Sequence, residues 1–440
     1  MISRLTAMMR SRRVRLLSML KHPVSQNAAA LYAVQIVLTL LPLATIPYLA
    51  RVLGPAELGR VVYAQTFSFL AGILIEYGFA LSATRQIAQK RDDKEAIADI
   101  AAGVFGAKMM LIAGTTAMTL IAAFVVPEFR ADPRYAIFAW AMAIAQGFAP
   151  IWFFQGLERL RPTAIIEVTV RVSAAISIIL FVNGRADGLL VMWIWTGSSV
   201  AILAVLLTMM YCHIPARRPR LPMSKAALKA GWALFLATVA VSLYTTATVL
   251  LLGLVVTSAQ LAMFASVERI TRASLRTIAP LVGATYPRVS YLVSSGDDAR
   301  AQRLATFTLL VQTGIGVVIA AVMILFAPTV VAVVLGPHYA PAVPLMRTLA
   351  LLVPFVSISA AIWSLWLLPH GLDRHAARLL IFPAAANLIL TPLLGSSVGT
   401  GGVAWLVVGL EASICLGGAW IIWRSGLLPT RAQLVGHRTT

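Results

Sequence analysis

Residues 189–212 read LLVMWIWTGSSVAILAVLLTMMYC, an unbroken run of 24 positions without a single charge. A helix needs about 20 apolar residues to cross the hydrocarbon core of a bilayer. The rest of the chain is of the same kind. Of 440 residues 60% are hydrophobic and 12% charged, with a mean hydropathy of +0.86. Soluble domains sit near 45–50% apolar and about 25% charged. A soluble core of this length cannot hide so much apolar surface, so lipid must be the solvent. Only helices or closed barrels satisfy their backbone there, and runs of this length choose helices.

Working outward, apolar stretches between Pro, Gly and charge breaks predict about twelve transmembrane helices. They fall near residues 28–50, 61–82, 100–126, 135–156, 163–182, 189–212, 231–256, 260–286, 304–334, 345–368, 377–395 and 401–423. With the N-terminus inside, 25 of the 36 Lys and Arg fall in inside segments and 6 in outside loops. That asymmetry is the positive-inside pattern, and it predicts both termini in the cytoplasm. It also accounts for the net charge of +20 without a nucleic-acid partner. Residues 1–27, with Arg4, Arg10, Arg12, Arg13, Arg15 and Lys21, read as a basic cytoplasmic segment lying on anionic lipid. No cleavage site follows, so a signal peptide is not expected.

The longest polar connection, 213–230, divides an N-lobe (28–212, helices 1–6) from a C-lobe (231–423, helices 7–12), with a cytoplasmic tail at 424–440. Offsetting the chain by 203 pairs Ala44, Thr45, Leu49, Val52, Ala56 and Leu58 with Ala247, Thr248, Leu252, Val255, Ala259 and Leu261. Asp92-Asp93 is echoed by Asp297-Asp298 after a small gap. Six-helix halves share orientation, so the repeat is parallel, about an axis along the membrane normal. That design suits an alternating-access transporter with its site between the lobes.

Charge at bilayer depth marks the candidate site. Arg269, Arg272 and Arg276 recur at i, i+3 and i+7, one stripe of helix eight. Three such Arg cost roughly 7.5–10.5 kcal/mol at mid-bilayer, while the Leu, Ile, Phe and Val from 261 to 282 contribute about 2.4–4.8. The stripe must face protein or water. A wet cavity with surplus guanidinium attracts anions, phosphate above all. Only Glu268 is adjacent, and the alternative is a structural cluster paired with acids on other helices, such as Glu76, Glu167 or Glu411. Arg51, Lys108 and Arg171 are further candidate anion contacts. Lys108 can equally snorkel, and Arg171 can pair with Glu167 at i−4. Glu76, Glu268 and Glu411 are candidates for coupling to an ion such as H⁺ or Na⁺; a helix-end charge and a packing hydrogen bond are the plain readings of Glu76 and Glu411. Trp140, Trp152, Trp193, Trp195, Trp363, Trp366 and Trp405 fit interface belts. Pro42 and Pro47 predict a bend in helix one. There is no P-loop and no His/Cys metal spacing, Cys212 and Cys415 are too far apart in sequence to suggest a disulfide, and no cofactor is expected.

These residues resemble a known family. Residues 42–59, PLATIPYLARVLGPAELG, look like the helix-one signature of Wzx-type polysaccharide flippases. Glu76-Tyr77-Gly78-Phe79 with Ser82-Ala83-Thr84-Arg85 is similar to the family's Asp-Tyr-Gly-Phe segment, Glu replacing Asp. Trp152-Phe153-Phe154-Gln155-Gly156 with Glu158-Arg159 fits its helix four to five turn, and Gly231-Trp232, Tyr244-Thr245 and Tyr286-Pro287-Arg288 echo the second lobe. The resemblance runs from about residue 28 to 423. It implies the MOP exporter superfamily: two six-helix bundles in a V, a cationic lumen and alternating access. It further implies a non-enzymatic flippase of the bacterial inner membrane that moves undecaprenyl-pyrophosphate-linked repeat units for O-antigen, capsule or exopolysaccharide. The implied partners are the lipid-linked glycan, membrane lipid, a polysaccharide polymerase and a chain-length regulator. The alternative is a MATE-like ion-coupled small-molecule exporter, which would need cavity carboxylates for cationic cargo.

Overall fold

A computed structural model describes residues 23–372 and 378–427. The basic residues 1–22, Arg374 and the tail from 428 lie outside the described residues, as do the side chains of Tyr244 and Thr245. Among the described residues every regular element is helical. The first half runs α1 (Pro23–Glu76), α2 (Phe79–Gln89), α3 (Lys94–Val125), α4 (Pro127–Ala131), α5 (Pro133–Phe148), α6 (Ile151–Gly156), α7 (Leu160–Phe181) and α8 (Gly188–Tyr211). The second runs α9 (Leu221–Thr245), α10 (Ala247–Leu252), α11 (Ser258–Arg276), α12 (Ala279–Ser294), α13 (Asp298–Leu325) and α14 (Ala327–Val334). A 3₁₀ turn (Pro337–Ala342), α15 (Val343–Ala350), α16 (Leu352–Ile362), a π segment (Trp363–Leu367), α17 (Ile381–Ser397) and α18 (Thr400–Arg424) complete it.

The chain is a multi-pass membrane protein: 8 helical stretches have the length and composition to cross a bilayer, and α17 is a shorter apolar helix. The difference from about twelve has physical causes. Both arms of α1 fall in one stretch, Ala44–Gln89, and α11 carries Glu268, Arg269, Arg272 and Arg276, too many charges for a lipid-facing span. Helix eight is also broken, ending at Arg276 and resuming as α12 at Ala279.

The expected helices 28–50 and 61–82 are the two arms of α1, parted at Gly54, at φ 71° and ψ 175°, a conformation that glycine alone adopts readily. The reversal at Gly54-Pro55 sends the second arm back alongside the bundle. The repeat is visible in the capping. Asp93 caps α3 by accepting from the Glu95 and Ala96 amides, and Asp297 caps α13 by accepting from Arg300. The structural equivalent of Asp297 is therefore Asp93, one position from the plain sequence echo. Each long helix is then followed by a short one with proline in its first turn, α4 and α14.

Burial divides the molecule lengthwise. At the end bearing Gly54, one continuous core joins both halves: Leu53, Val61 and Phe129 from the first, Phe264, Val331 and Met346 from the second. At the opposite end there are two separate cores. One gathers Phe79, Ile97, Trp152 and Ile202 of the first half, the other Val289, Ala301, Ala361 and Ile422 of the second. Two halves fused at one end and individually packed at the other make the V that the resemblance implies. Helix α9 crosses the divide: Ala227 and Leu228 pack on the first half's core, and a Cβ at Gly231 would lie 2.8 Å from the Tyr77 carbonyl oxygen.

The tightest approach between halves is at the fused end. A Cβ on Gly59 would fall 1.9 Å from the Ser258 carbonyl oxygen, so α1 and α11 touch backbone to backbone. Gly59→Ala is expected to force them apart and cost about 1–3 kcal/mol, read as a lowered thermal midpoint in detergent. Gly114→Ala, whose Cβ would meet nothing within 4 Å, should be neutral or slightly stabilising.

Candidate functional site

A cavity of about 120 Å³ lies between both arms of α1, α5, α7, α8 and α11, room for about four waters. Its polar lining is Thr45 and Gln65 from α1, Gln146 from α5, Arg171 from α7, Trp195, Ser198 and Ser199 from α8, and Arg269 from α11. Among the described residues no carboxylate lines it.

Local sequence explains how α11 delivers a guanidinium there. Thr257 and Gln260 form a reciprocal capping box that starts the helix. Leu261, Phe264, Ala265 and Val267 are buried in the shared core, which fixes the rotation of the helix and turns Arg269 toward the first half. Arg269 Nη2 donates to Gln65 Oε1 at 2.7 Å. Its neighbour Glu268, only 5% exposed, is engaged elsewhere: Arg272 donates to Glu268 Oε1 through Nε at 2.9 Å and lies 2.8 Å away through Nη2. Arg269 thus makes no ion pair among the described residues. Taking a cation out of water costs several kcal/mol, and one charge-assisted hydrogen bond offsets about 1.5–3 of it. The rest is a standing attraction for an anion. Arg171, the second cation of the lining, pairs with Glu167 (Nη2 to Oε1, 2.9 Å), so the cavity and its rim retain one surplus positive charge.

Of the three arginines only Arg269 lines the cavity. They share a face, but Arg269 and Arg276 are two turns apart, about 10 Å along the axis. Arg272 belongs to the Glu268 pair, and Arg276 is exposed at the end of α11. The paired-cluster alternative therefore describes Arg272, though its acid comes from its own helix.

The other sequence candidates are scattered. Arg51 lies at the Gly54 end and donates to the Val333 carbonyl of the second half. Lys108 does not snorkel. It is fully buried, donates to the Gly147 carbonyl at 2.5 Å and stands 5.8 Å from the ring centroids of Phe79 and Trp152, a cation–π cage away from the cavity. Glu76 sits at a helix end: it accepts from the Gly78 amide at 2.9 Å and from Ala80, holding the first turn of α2. Glu411 is buried within α18. Of the tryptophans, Trp193 and Trp405 are exposed as belt residues should be, whereas Trp152 and Trp366 are core and Trp195 faces the cavity.

Sequence reasoning passed over Gln65, Gln146, Ser198 and Ser199, because neutral polar groups in apolar runs raise no alarm on a hydropathy scale. Two signals were present. Gln146 is an amide in the middle of the span 135–156, and Gln65 precedes Arg269 by 204 positions, close to the repeat offset.

Comparison with known proteins agrees with this architecture. Residues 24–293 match a family described as polysaccharide biosynthesis protein. A relative from Escherichia coli (strain K12), named for O-antigen transport, is 27% identical over 379 residues, covering 84% of this chain and 89% of the relative. A similarly named protein of Shigella dysenteriae is 25% identical over 399 residues, covering 89% and 98%. Among solved structures, the lipid II flippase MurJ in an inward closed conformation superposes with a TM-score of 0.70 at 12% identity, covering 92% of this chain and 89% of that one. An inward-facing multidrug resistance MATE family transporter of the MOP superfamily gives 0.69 at 18% identity, covering 88% and 95%. These likenesses establish the MOP fold.

Lys108 should therefore report on stability rather than ligand. Lys108→Ala would leave a void between Phe79 and Trp152 and an unpaired Gly147 carbonyl, costing on the order of 2–4 kcal/mol in thermal unfolding. Lys108→Met, which keeps the volume, should recover most of that loss.

Proposed function

The chain belongs to the polysaccharide biosynthesis protein family, and on that premise we propose that it is a flippase for undecaprenyl-pyrophosphate-linked oligosaccharide repeat units. It carries them from the cytoplasmic to the periplasmic leaflet of the bacterial inner membrane, with both termini in the cytoplasm. The observation that carries this reading is the cavity holding Arg269, whose described lining has no carboxylate and whose guanidinium is held by a neutral amide. The names of the relatives for O-antigen transport support the class of cargo.

In this reading the pyrophosphate seats on Arg269, with Arg171 at the rim, and the sugars extend among Gln65, Gln146, Ser198 and the Trp195 ring. Guanidinium forks match phosphate oxygens, and indole faces suit the apolar faces of sugar rings. Four waters' worth of space is less than one sugar ring, so the halves must part to admit a glycan. Alternating access supplies that motion: residues 28–212 and 231–423 rock as two lobes, with 213–230 linking them. A MATE-like exporter of cations would need carboxylates at this place, and the described lining has none.

Arg269→Gln should lower transport by about tenfold or more, the effect of losing one buried charge-assisted contact of roughly 1.5–3 kcal/mol. Arg276→Gln should leave it near wild type. The assay is complementation of a deletion strain, with the cytoplasm-facing pool of lipid-linked repeat units as readout. Normal clearing of that pool by Arg269→Gln and by the Arg171→Gln/Arg269→Gln double variant would overturn the assignment.

A further inference from the structure

The geometry points to Gln65 as a positioning residue: its amide ties Arg269, and so α11, to the first half, and an anion that captures Arg269 releases that tie. The inference rests on the anion-site reading above and adds to it a link between binding and motion.

Position is the first argument. Gln65 and Arg269 stand 204 residues apart and touch at 2.7 Å. The register that pairs residues 44–58 with 247–261 sets Gln65 opposite Glu268, so Gln65 touches the residue next to its own counterpart. A residue of a two-fold repeat that touches the neighbour of its counterpart lies close to the axis. A bond at the axis joins the halves where their relative movement begins.

Competition is the second. Both partners line the cavity, so a ligand there meets them together. Hydrogen bonds from a guanidinium to a charged oxygen are shorter and about twice as strong as those to a neutral amide. A pyrophosphate oxygen therefore displaces Gln65 Oε1 as acceptor, and no carboxylate of the lining opposes it. Once released, the Gln65 amide offers its own N–H donors to the anion.

The third argument is what remains after release. At the Gly54 end the halves are then held by their shared apolar core and by a few polar contacts. Ser258 donates to Glu128 across the gap, Arg51 reaches the Val333 carbonyl, and Arg185 lies 3.4 Å from His338. Polar contacts of this kind are individually weak, so loss of the part-buried Gln65–Arg269 tie shifts the balance toward separation.

Spin labels at Arg185→Cys and His338→Cys, one on each half, read the spacing at that end in full-length protein carrying Cys212→Ser and Cys415→Ala. The probe is inorganic pyrophosphate. In the otherwise unaltered protein it should lengthen the label distance by several Å. Gln65→Leu, which removes the acceptor, should show the longer distance without ligand. Gln65→Glu, which replaces the amide with a carboxylate competing for the same guanidinium, should weaken pyrophosphate binding by at least about tenfold and hold the short distance. Opposite shifts from two substitutions at one position cannot come from general misfolding. Pyrophosphate that binds and lengthens the distance equally in Gln65→Leu, Gln65→Glu and the parent would overturn the tie while sparing the anion site. A parent protein that does not bind pyrophosphate would overturn the anion site, and the tie with it.

Discussion

The contact between α1 and α11 is what the rest of the molecule is arranged around. Two helices from pseudo-equivalent halves meet backbone to backbone at Gly59 and Ser258, and deeper in they are joined by Gln65 and Arg269. Hydrocarbon cannot solvate a guanidinium, so α11 must be sheathed by protein on its polar face. The second arm of α1 provides that sheath, and the cavity is the space left where the sheath is incomplete.

From this follows the division of labour between the two ends. At the Gly54 end the halves share one apolar core, which joins them. At the other end each half closes on its own core, so separation there exposes no common interior. Helix α9 complicates the symmetry by leaving its own half to pack on α3. Gly103 lies close to the backbone of Met223, and Gly106 to the Ser224 side chain. The chain connecting the lobes is therefore also a strap across the open end, reinforced by Arg217 pairing with Glu95 and Asp99.

The buried charges sort by their partners rather than by depth. Lys108 is as deep as any cation here, yet it is a structural element, caged by two rings and a carbonyl. Arg272 is quenched by Glu268 one turn away, and Arg171 by Glu167. Arg269 combines a cavity, a neutral hydrogen-bond partner and no ion pair among the described residues, its neighbour Glu268 being engaged by Arg272. A half-buried cation held by a neutral amide is costly to keep, and in the proposed reading a ligand supplies the missing charge.

How much of this was legible beforehand depended on range. Composition and run length determined that the chain is helical and membrane-embedded, because the transfer cost of backbone and charge into lipid leaves no other solution. The repeat was readable from positions 203 apart, and a three-residue charge row announced that α11 could not face lipid. Local sequence could not say which of those arginines meets a cavity, since helical periodicity fixes a face but not what lies opposite it. Nor could it find Gln65, whose role exists only because folding brings it against a residue 204 positions away. Solvent preference is a property of residues one at a time, and the sequence carries it whole; electrostatic pairing is a property of distances between them, and only the tertiary structure sets those.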